Sequence, residues 1–570
     1  MSLAPGSFAE TPRLADLLEE TVRHRRSLSE FVGTTAPLAI EGSQSGIEIE
    51  IPFSPRIEVL GGEVEILHDH AARPADWSSQ LGISWDDRVI SSSTIQAEDR
   101  RGKVDAAFAG TAEPVSVHRL KVESRETGQF GEGVEPGSLL TQIDAVGSGI
   151  SIDYRLRPLR PLLDELRDLI DERYWGDYSL SILTAPLYSV EQTHLTWGNL
   201  VSQRAAIWMG RRPLKIMHQD SLAASLDQVA IGTRAELIGI LPKSICDQIT
   251  TSFVGIYPHP SDDRHFLLVL SGTESEGVER AVRAFAFSPE EFPGMARVDV
   301  TGWPSVNGDL PKKEKADSRW VILPDLERWQ REGFPGATGV VGGGGCDLWI
   351  TARDSGTLAS AWMISGRLAQ VEGDLVPSLN VTDHLPEARR HWFAIGPVSS
   401  LDPEWLEKTP LAQAKPVEGE ALLCQFESPM KKGFAGGIVT AADSLILSER
   451  VSDLIQPNLW KSLRGDTVLW SAGGAAPRFQ KLAASFEVGE PGLLTIAWRW
   501  ISALPWLSLA FSSLGALIVL WLLRQPMTSG RDWDLVPAKK NANRKVSRSR
   551  RLKEVARREA RLFDAAHRGG

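Results

Sequence analysis

The closest pair of imidazoles among the 11 histidines is His68 and His70, in the segment HDH. Two rings so close can share a divalent metal, but a site needs further ligands, and no acidic or cysteine partner stands at helical or hairpin spacing. The segment reads as a surface turn. GVVGGGGC, residues 339–346, is glycine-rich, yet it precedes a strand, opens no helix and carries no lysine. It lacks what a phosphate loop requires and reads as the end of a flexible linker. AIGTRAEL sets Gly232 and Thr233 at a strand-to-helix turn, where backbone N–H groups can hold an anion. Its counterpart AIGPVSSL has Pro397 instead, so Thr233 reads as a helix N-cap. Cys246, Cys346 and Cys424 are far apart, form no C-x-x-C pair and sit in apolar contexts, as buried thiols do. NVT at 380–382 is a chance match to a glycosylation sequon. No G-x-S-x-G elbow and no strand-end pair of carboxylates stands out. The sequence shows no active site, and no metal is expected. Recognition chemistry remains: Trp77 and Trp85 lie in or beside turns of a strand-rich region, where an exposed indole can stack on a pyranose ring, with core packing as the competing reading.

The elements that would hold these residues fall into blocks. Residues 1–35 read as a helical segment around LADLLEETVRHRRSLSEFV. Over 36–157 short alternating runs follow one another: GIEIEIPF, then RIEVLGGEVEIL as two strands about a Gly-Gly turn, then LGISWDDRVISS as a hairpin. They predict an antiparallel, jelly-roll-like β-sandwich. From 158 to 292 a helix, RPLLDELRDLIDERYW, leads into apolar strands alternating with helices, which argues a parallel-rich α/β sheet covered on both faces. The pattern returns over 346–475, and HWFAIGPVSSL mirrors DQVAIGTRAEL. Thr184 and Thr351 differ by 167, Gly232 and Gly396 by 164, Pro260 and Pro429 by 169. A duplicated α/β domain follows, its copies joined by a Gly-, Pro- and charge-rich linker over 293–345.

The C-terminal region differs from the rest. Residues 501–523 hold 23 residues without a charge. At about 1.5 Å per residue such a helix crosses a hydrocarbon core of about 30 Å. Trp498, Trp500 and Trp506, in and beside the lead-in 476–500, fall where interfacial indoles collect. Ser508, Ser512 and Ala516, with Gly515 beside them, form a small-residue face suited to packing on another membrane helix. From Arg524 onward 14 Lys or Arg stand against 5 Asp or Glu, a net +9, which leaves −20 on the preceding 523 residues. The positive-inside rule puts this basic tail, 524–570, on the cytoplasmic side against anionic lipid and the acidic body in the periplasm. Such a body is a poor nucleic-acid ligand. MSLAPGSFAETPRLADLLEE has no apolar signal segment, so the expectation is that the sequence starts after its export signal or that its start site is placed too late.

This order of parts resembles the periplasmic B subunit of bacterial cellulose synthase, a family often labelled cyclic di-GMP-binding regulatory protein. The wording IEIPFSPRIEVLGGEVEI, VAIGTRAEL and CQFESPMKKGFAGGIVTAADSLILSERVSDLIQPNLWKSLRGDTVLW carries the resemblance. It implies a non-catalytic inner-membrane subunit with two flavodoxin-like α/β domains and carbohydrate-binding-like sandwiches. The implied partners are a membrane-embedded glycosyltransferase subunit, the nascent β-1,4-glucan and membrane lipids. The resemblance places cyclic di-GMP sensing on the partner, so no cofactor is expected here. The family has a second sandwich between its α/β domains, for which 292–345 is too short. A shortened glucan path, or a different exported polysaccharide, is implied. An independent periplasmic polysaccharide-binding module and a glycan-processing enzyme are the alternative readings.

Overall fold

The computed structural model describes residues 21–41, 44–70, 78–96, 99–111, 115–127, 140–303, 320–337, 345–473 and 475–489, with Ser513, Leu517, Ile518 and Leu520. The chain divides into a body, residues 1–491, and a C-terminal unit, residues 492–570.

The body opens with the predicted antiparallel sandwich. Its strands are β1 (Val22–Ser27), β2 (Leu38–Glu41), β3 (Gln44–Pro52), β4 (Ile57–His70), β5 (Ser78–Trp85), β6 (Arg88–Gln96), β7 (Arg101–Thr111), β8 (Val117–Thr127), β9 (Leu140–Ile143) and β10 (Gly149–Leu156). One sheet has the order β1-β10-β4-β9-β2 with β7 also on β4, and the other β3-β8-β5-β6. Alternate residues such as Ile49, Ile51, Leu81, Ile83, Leu120, Val122, Ile150 and Ile152 point into one core between them.

Three local expectations are corrected here. Of the expected helical segment, residues 1–20 lie outside the described residues; among the rest Val22–Ser27 is an edge strand on β10 rather than helix, and Leu28–Val32 is helical. Alternation explains it: Arg23 faces out to Glu63, while Arg26 turns in over the rings of Phe31 and Trp175. The Gly-Gly pair makes no turn but lies inside one 14-residue strand, next to a bulge at Leu60. Inward positions shift from Ile57 and Val59 to Val64 and Ile66 across it, and a Cβ at Gly62 would strike the Phe108 ring. HDH ends this strand with both histidines buried, His70 Nδ1 lying 2.8 Å from Thr141 Oγ1. The expected hairpin is present, turning at Asp86 and Asp87 with φ of 48° and 63°.

The first α/β domain comprises β11 (Ser179–Leu183), α1 (Gln192–Trp208), β12 (Lys215–Gln219), β13 (Asp227–Thr233), β14 (Phe253–His259), β15 (Asp262–Gly272), α2 (Ser275–Phe287) and β16 (Arg297–Asp299). After β17 (Val321–Leu323), the second repeats it with β18 (Cys346–Ile350), α3 (Ser355–Glu372), β19 (Leu379–Thr382), β20 (His391–Pro397), β21 (Glu420–Glu427), β22 (Ala435–Ala441), α4 (Ser444–Leu454), β23 (Thr467–Ser471) and β24 (Arg478–Gln480). The sheet orders, β12-β11-β13-β15-β14-β16 and β19-β18-β20-β22-β21-β23-β24, follow the same path over six strands, and the second adds β24 at its edge. Each sheet is mixed: β14 and β21 run antiparallel to their neighbours, which departs from the all-parallel order of a flavodoxin. The short hairpins β14–β15 and β21–β22 force this, since parallel neighbours need a crossover.

The linker boundaries also move. Residues 297–299 close the first sheet, while Leu326, Trp329, Phe334 and Ala337 are core residues, Trp329 packing on Phe334, Phe393 and Trp460. β17 pairs with β25 (Phe486–Val488), and β24 pairs with β23, so part of 476–500 belongs to the body. Of the linker, 304–319 and 338–344 lie outside the described residues.

Helices α1 and α3 fuse the two copies. They run parallel, and positions 164 apart, the spacing of Gly232 and Gly396, meet face to face. A Cβ at Gly198 would strike Trp362, one at Gly366 would come 2.9 Å from Ala206 Cβ, and Gln370 Nε2 donates to Ala206 O at 2.8 Å. That is a pseudo-twofold axis along the helices, with a glycine opposite a tryptophan where exact symmetry would clash. Amides from α1 then cap the open edge of β19: Asn199 Nδ2 donates to Leu379 O at 3.1 Å and Gln192 Nε2 to Val381 O. At the same junction His218 of β12 is buried between Thr184 Oγ1 at 3.0 Å and Ser355 Oγ at 3.1 Å.

The sandwich is tied on by a buried ion pair. Arg56 Nη1 and Nη2 donate to the Asp227 carboxylate at 2.5 and 2.9 Å, and to Leu169 O and Arg264 O. Tyr178 Oη at 2.8 Å and the Phe266 amide at 3.2 Å also donate to Asp227, and His265 Nδ1 lies 3.1 Å from it. Burial alone would raise the Asp227 pKa, but the Arg56 charge and these hydrogen bonds hold it well below the usual range.

Two predictions follow. Arg56→Met strands a buried carboxylate and should cost about 3–5 kcal/mol in urea unfolding, with Arg56→Met/Asp227→Asn recovering most of it; an Arg56→Met loss below about 1 kcal/mol would refute the clamp. Burial lowers His218 to about 4, so its neutral ring is favoured in the fold. The unfolded chain takes up this proton first, and stability falls as pH drops from about 6.5 toward 4. His218→Gln should flatten Tm against pH in that window, and an unchanged slope would contradict the assignment.

Candidate functional site

Strand β18 alternates between its two faces. Cys346, Leu348 and Ile350 point into the core shared with α3, leaving Asp347 and Trp349 on the other face. Register puts Asn380 of β19 beside Asp347, and Thr382 beside Trp349. The turn after β19 brings His384, Leu385, Pro386 and Glu387 over this face, and Arg390 arrives just before β20. Together they line a cleft of about 280 Å³.

Its floor is a fixed polar triad. Asp347 is 3% exposed and accepts from Arg390 Nε at 2.8 Å and Asn380 Nδ2 at 3.3 Å. Arg390 Nη2 also reaches Cys346 O and Ser378 O, at 3.4 and 3.3 Å. The guanidinium passes over Gly345, whose φ is +79°; any Cβ there would lie 2.8 Å from Arg390 Nη2. Thr382 Oγ1 accepts from the His384 amide at 3.1 Å, which pins the turn, and Arg353 holds Asp383 beside it. Donors and acceptors converge with one permanent cation against the carboxylates of Asp347 and Glu387. Such a site hydrogen-bonds a neutral polyhydroxyl group and repels anions.

The strand ends of the first α/β domain carry a different cluster. Thr233 caps its helix as predicted, Oγ1 accepting from the Glu236 amide at 3.3 Å while the Glu236 carboxylate accepts from Thr233 N at 2.7 Å. His194 Nε2 lies 3.2 Å from that carboxylate. The His194 hydrogen bond, with those of Thr233, outweighs burial and lowers Glu236 to about 2. Ser355 meets His218 nearby, but an imidazole lowered to about 4 is a weak base at neutral pH.

The sequence-predicted residues fare unevenly. Trp85 is 6% exposed, its ring stacked on Phe108 at 4.2 Å and on His118 at 5.2 Å, so neither face is free for a sugar. This corrects the expectation of a binding platform there. Trp77, Trp498, Trp500, Trp506, Ser508, Ser512, Gly515 and Ala516 lie outside the described residues. So does most of 501–523, of which Ser513, Leu517, Ile518 and Leu520 are helical and exposed. Among the described residues no helix is long and apolar enough to cross a membrane, and no cluster of metal-ligating side chains occurs. All three thiols are buried. The cleft was missed because Asn380 reads as part of a chance sequon. The available signal was Asp347, a lone charge inside the apolar strand CDLWI.

Residues 169–298, the first α/β domain, match the family model described as cellulose synthase BcsB, first FD domain. No curated protein matches the chain. Among solved structures, a family 35 carbohydrate-binding module from an environmental isolate is similar at 9% identity and TM-score 0.14, over 20% of this chain and 66% of that one. The sugar-binding EclA C-terminal domain gives 10% and 0.15, over 26% and 82%. A family two carbohydrate esterase from Clostridium thermocellum, in complex with cellohexaose, gives 13% and 0.12, over 26% and 33%. On the matched domain, the chain resembles the periplasmic B subunit of bacterial cellulose synthase.

Proposed function

We propose that this chain is a non-catalytic accessory subunit of a bacterial cellulose synthase, anchored in the inner membrane by 501–523 with its body in the periplasm and its basic tail in the cytoplasm. The observation that carries this reading is the match of residues 169–298 to the first FD domain of BcsB. The charge asymmetry across the apolar segment supports the orientation, and the exposed helical Leu517, Ile518 and Leu520 support the anchor. In this reading the body supports the glycosyltransferase subunit and guides the emerging β-1,4-glucan, while cyclic di-GMP acts through the partner rather than by binding here. The polar cleft favours a second reading, an independent periplasmic polysaccharide-binding module.

Purification of the full chain from its native membrane in mild detergent separates the two. The accessory-subunit reading expects a large multi-span glycosyltransferase to co-purify in fixed ratio, and recovery of the chain alone would favour the independent module. Protease added to intact spheroplasts should digest the body and spare the arginine-rich tail. The reverse pattern would overturn the orientation.

A further inference from the structure

The cleft on the second α/β domain lies outside the matched domain and faces away from the α1–α3 seam, so neither the fold nor the domain pairing accounts for it. We propose that the cleft formed by Asp347, Asn380, Thr382, Glu387 and Arg390 binds a glucosyl unit of the β-glucan; this rests on the accessory-subunit reading for the identity of the sugar.

Three features carry the inference. First, the triad is built before any ligand arrives. Asp347 holds Arg390 and Asn380 in place, and Arg390 is further fixed by two backbone carbonyls, so little side-chain entropy remains to be lost on binding. Second, Asn380, Arg390 and Glu387 line the same cleft and bring amide, guanidinium and carboxylate groups close together, as vicinal hydroxyls require. Leu385, 58% exposed, adds an apolar surface for the C–H face of a ring. Third, two carboxylates against one guanidinium, in a volume of about 280 Å³, disfavour a phosphate and give little room for a dinucleotide. The edge strand that presents Asn380 and Thr382 is paired with β18 and held at Leu379 and Val381 by amides of α1, which fixes the wall of the cleft.

The test is calorimetric titration of the full chain, in a detergent without a sugar headgroup, with cellotetraose, maltotetraose and cyclic di-GMP as separate probes. Cellotetraose should bind more tightly than maltotetraose, and cyclic di-GMP should not compete. Glu387→Gln, at an exposed position, should weaken cellotetraose about 5–10-fold with an unchanged Tm, and Asn380→Ala/Glu387→Gln at least about 10-fold. No cellotetraose binding by the wild type, unchanged affinity in both variants, or competition by cyclic di-GMP would each overturn the proposal. Co-purification with the glycosyltransferase is read separately, so loss of the cleft leaves the accessory-subunit reading standing, and loss of that reading shows as a chain recovered alone.

Discussion

Asp227 opens a central strand of the first α/β sheet with its charge buried, 3% exposed, and the groups around it meet that demand. Arg56 comes from the sandwich, Tyr178 and the Phe266 amide from the α/β domain, so the same carboxylate belongs to both. An ion pair this deep gains little over a well-packed apolar contact, but breaking it is expensive. It therefore acts more as a register pin than as a source of stability. With Trp175, which leaves the α/β side to stack on Phe53 at 5.0 Å in the sandwich core, it makes the sandwich and the first α/β domain one piece.

The second constraint is the duplication. Two copies of one mixed sheet each leave an edge strand exposed, β12 and β19. A parallel helix pair along a pseudo-twofold axis lets each copy shelter the other's edge. The copies have diverged where symmetry is hardest to satisfy: Gly198 yields space to Trp362, and Gly366 yields it to Ser202 and Ala206. Divergence also reaches the outer face, where Asp347 and Arg390 of the second copy make a polar cleft. Function can be added there without disturbing the seam.

Much of this was legible in the residues. Alternation in GIEIEIPF, the hairpin LGISWDDRVISS, the N-cap Thr233, and the recurrence of AIG at a spacing of 164 all report local physics, and all agree with the structure. The failures have a common cause, which is tertiary context. VRHRRS sits within a run whose leucines read as helical but is a strand because β10 offers it an edge. Gly61 and Gly62 look like a turn because glycine serves turns and bulges alike. The stretch 320–337 looks like a linker because its charges mask Leu326, Trp329 and Phe334, which fill the second core. Trp85 looks available because its sequence neighbours are polar, whereas its spatial neighbours are aromatic. The cleft was illegible because its residues come from two adjacent strands and a turn, and only register unites them.

These observations describe an acidic body with a polar cleft on its second α/β domain, and a sequence that continues into an apolar C-terminal segment followed by positive charge. The proposed accessory-subunit reading calls on all three. The most direct measurement is glucan output in cells that lack this chain and are complemented with it. Complementation by the full chain should restore product, whereas a chain whose 501–523 is replaced by a generic apolar helix of equal length should reach the membrane yet restore none. Normal output from the replaced chain, or undiminished output with the chain absent, would contradict the account.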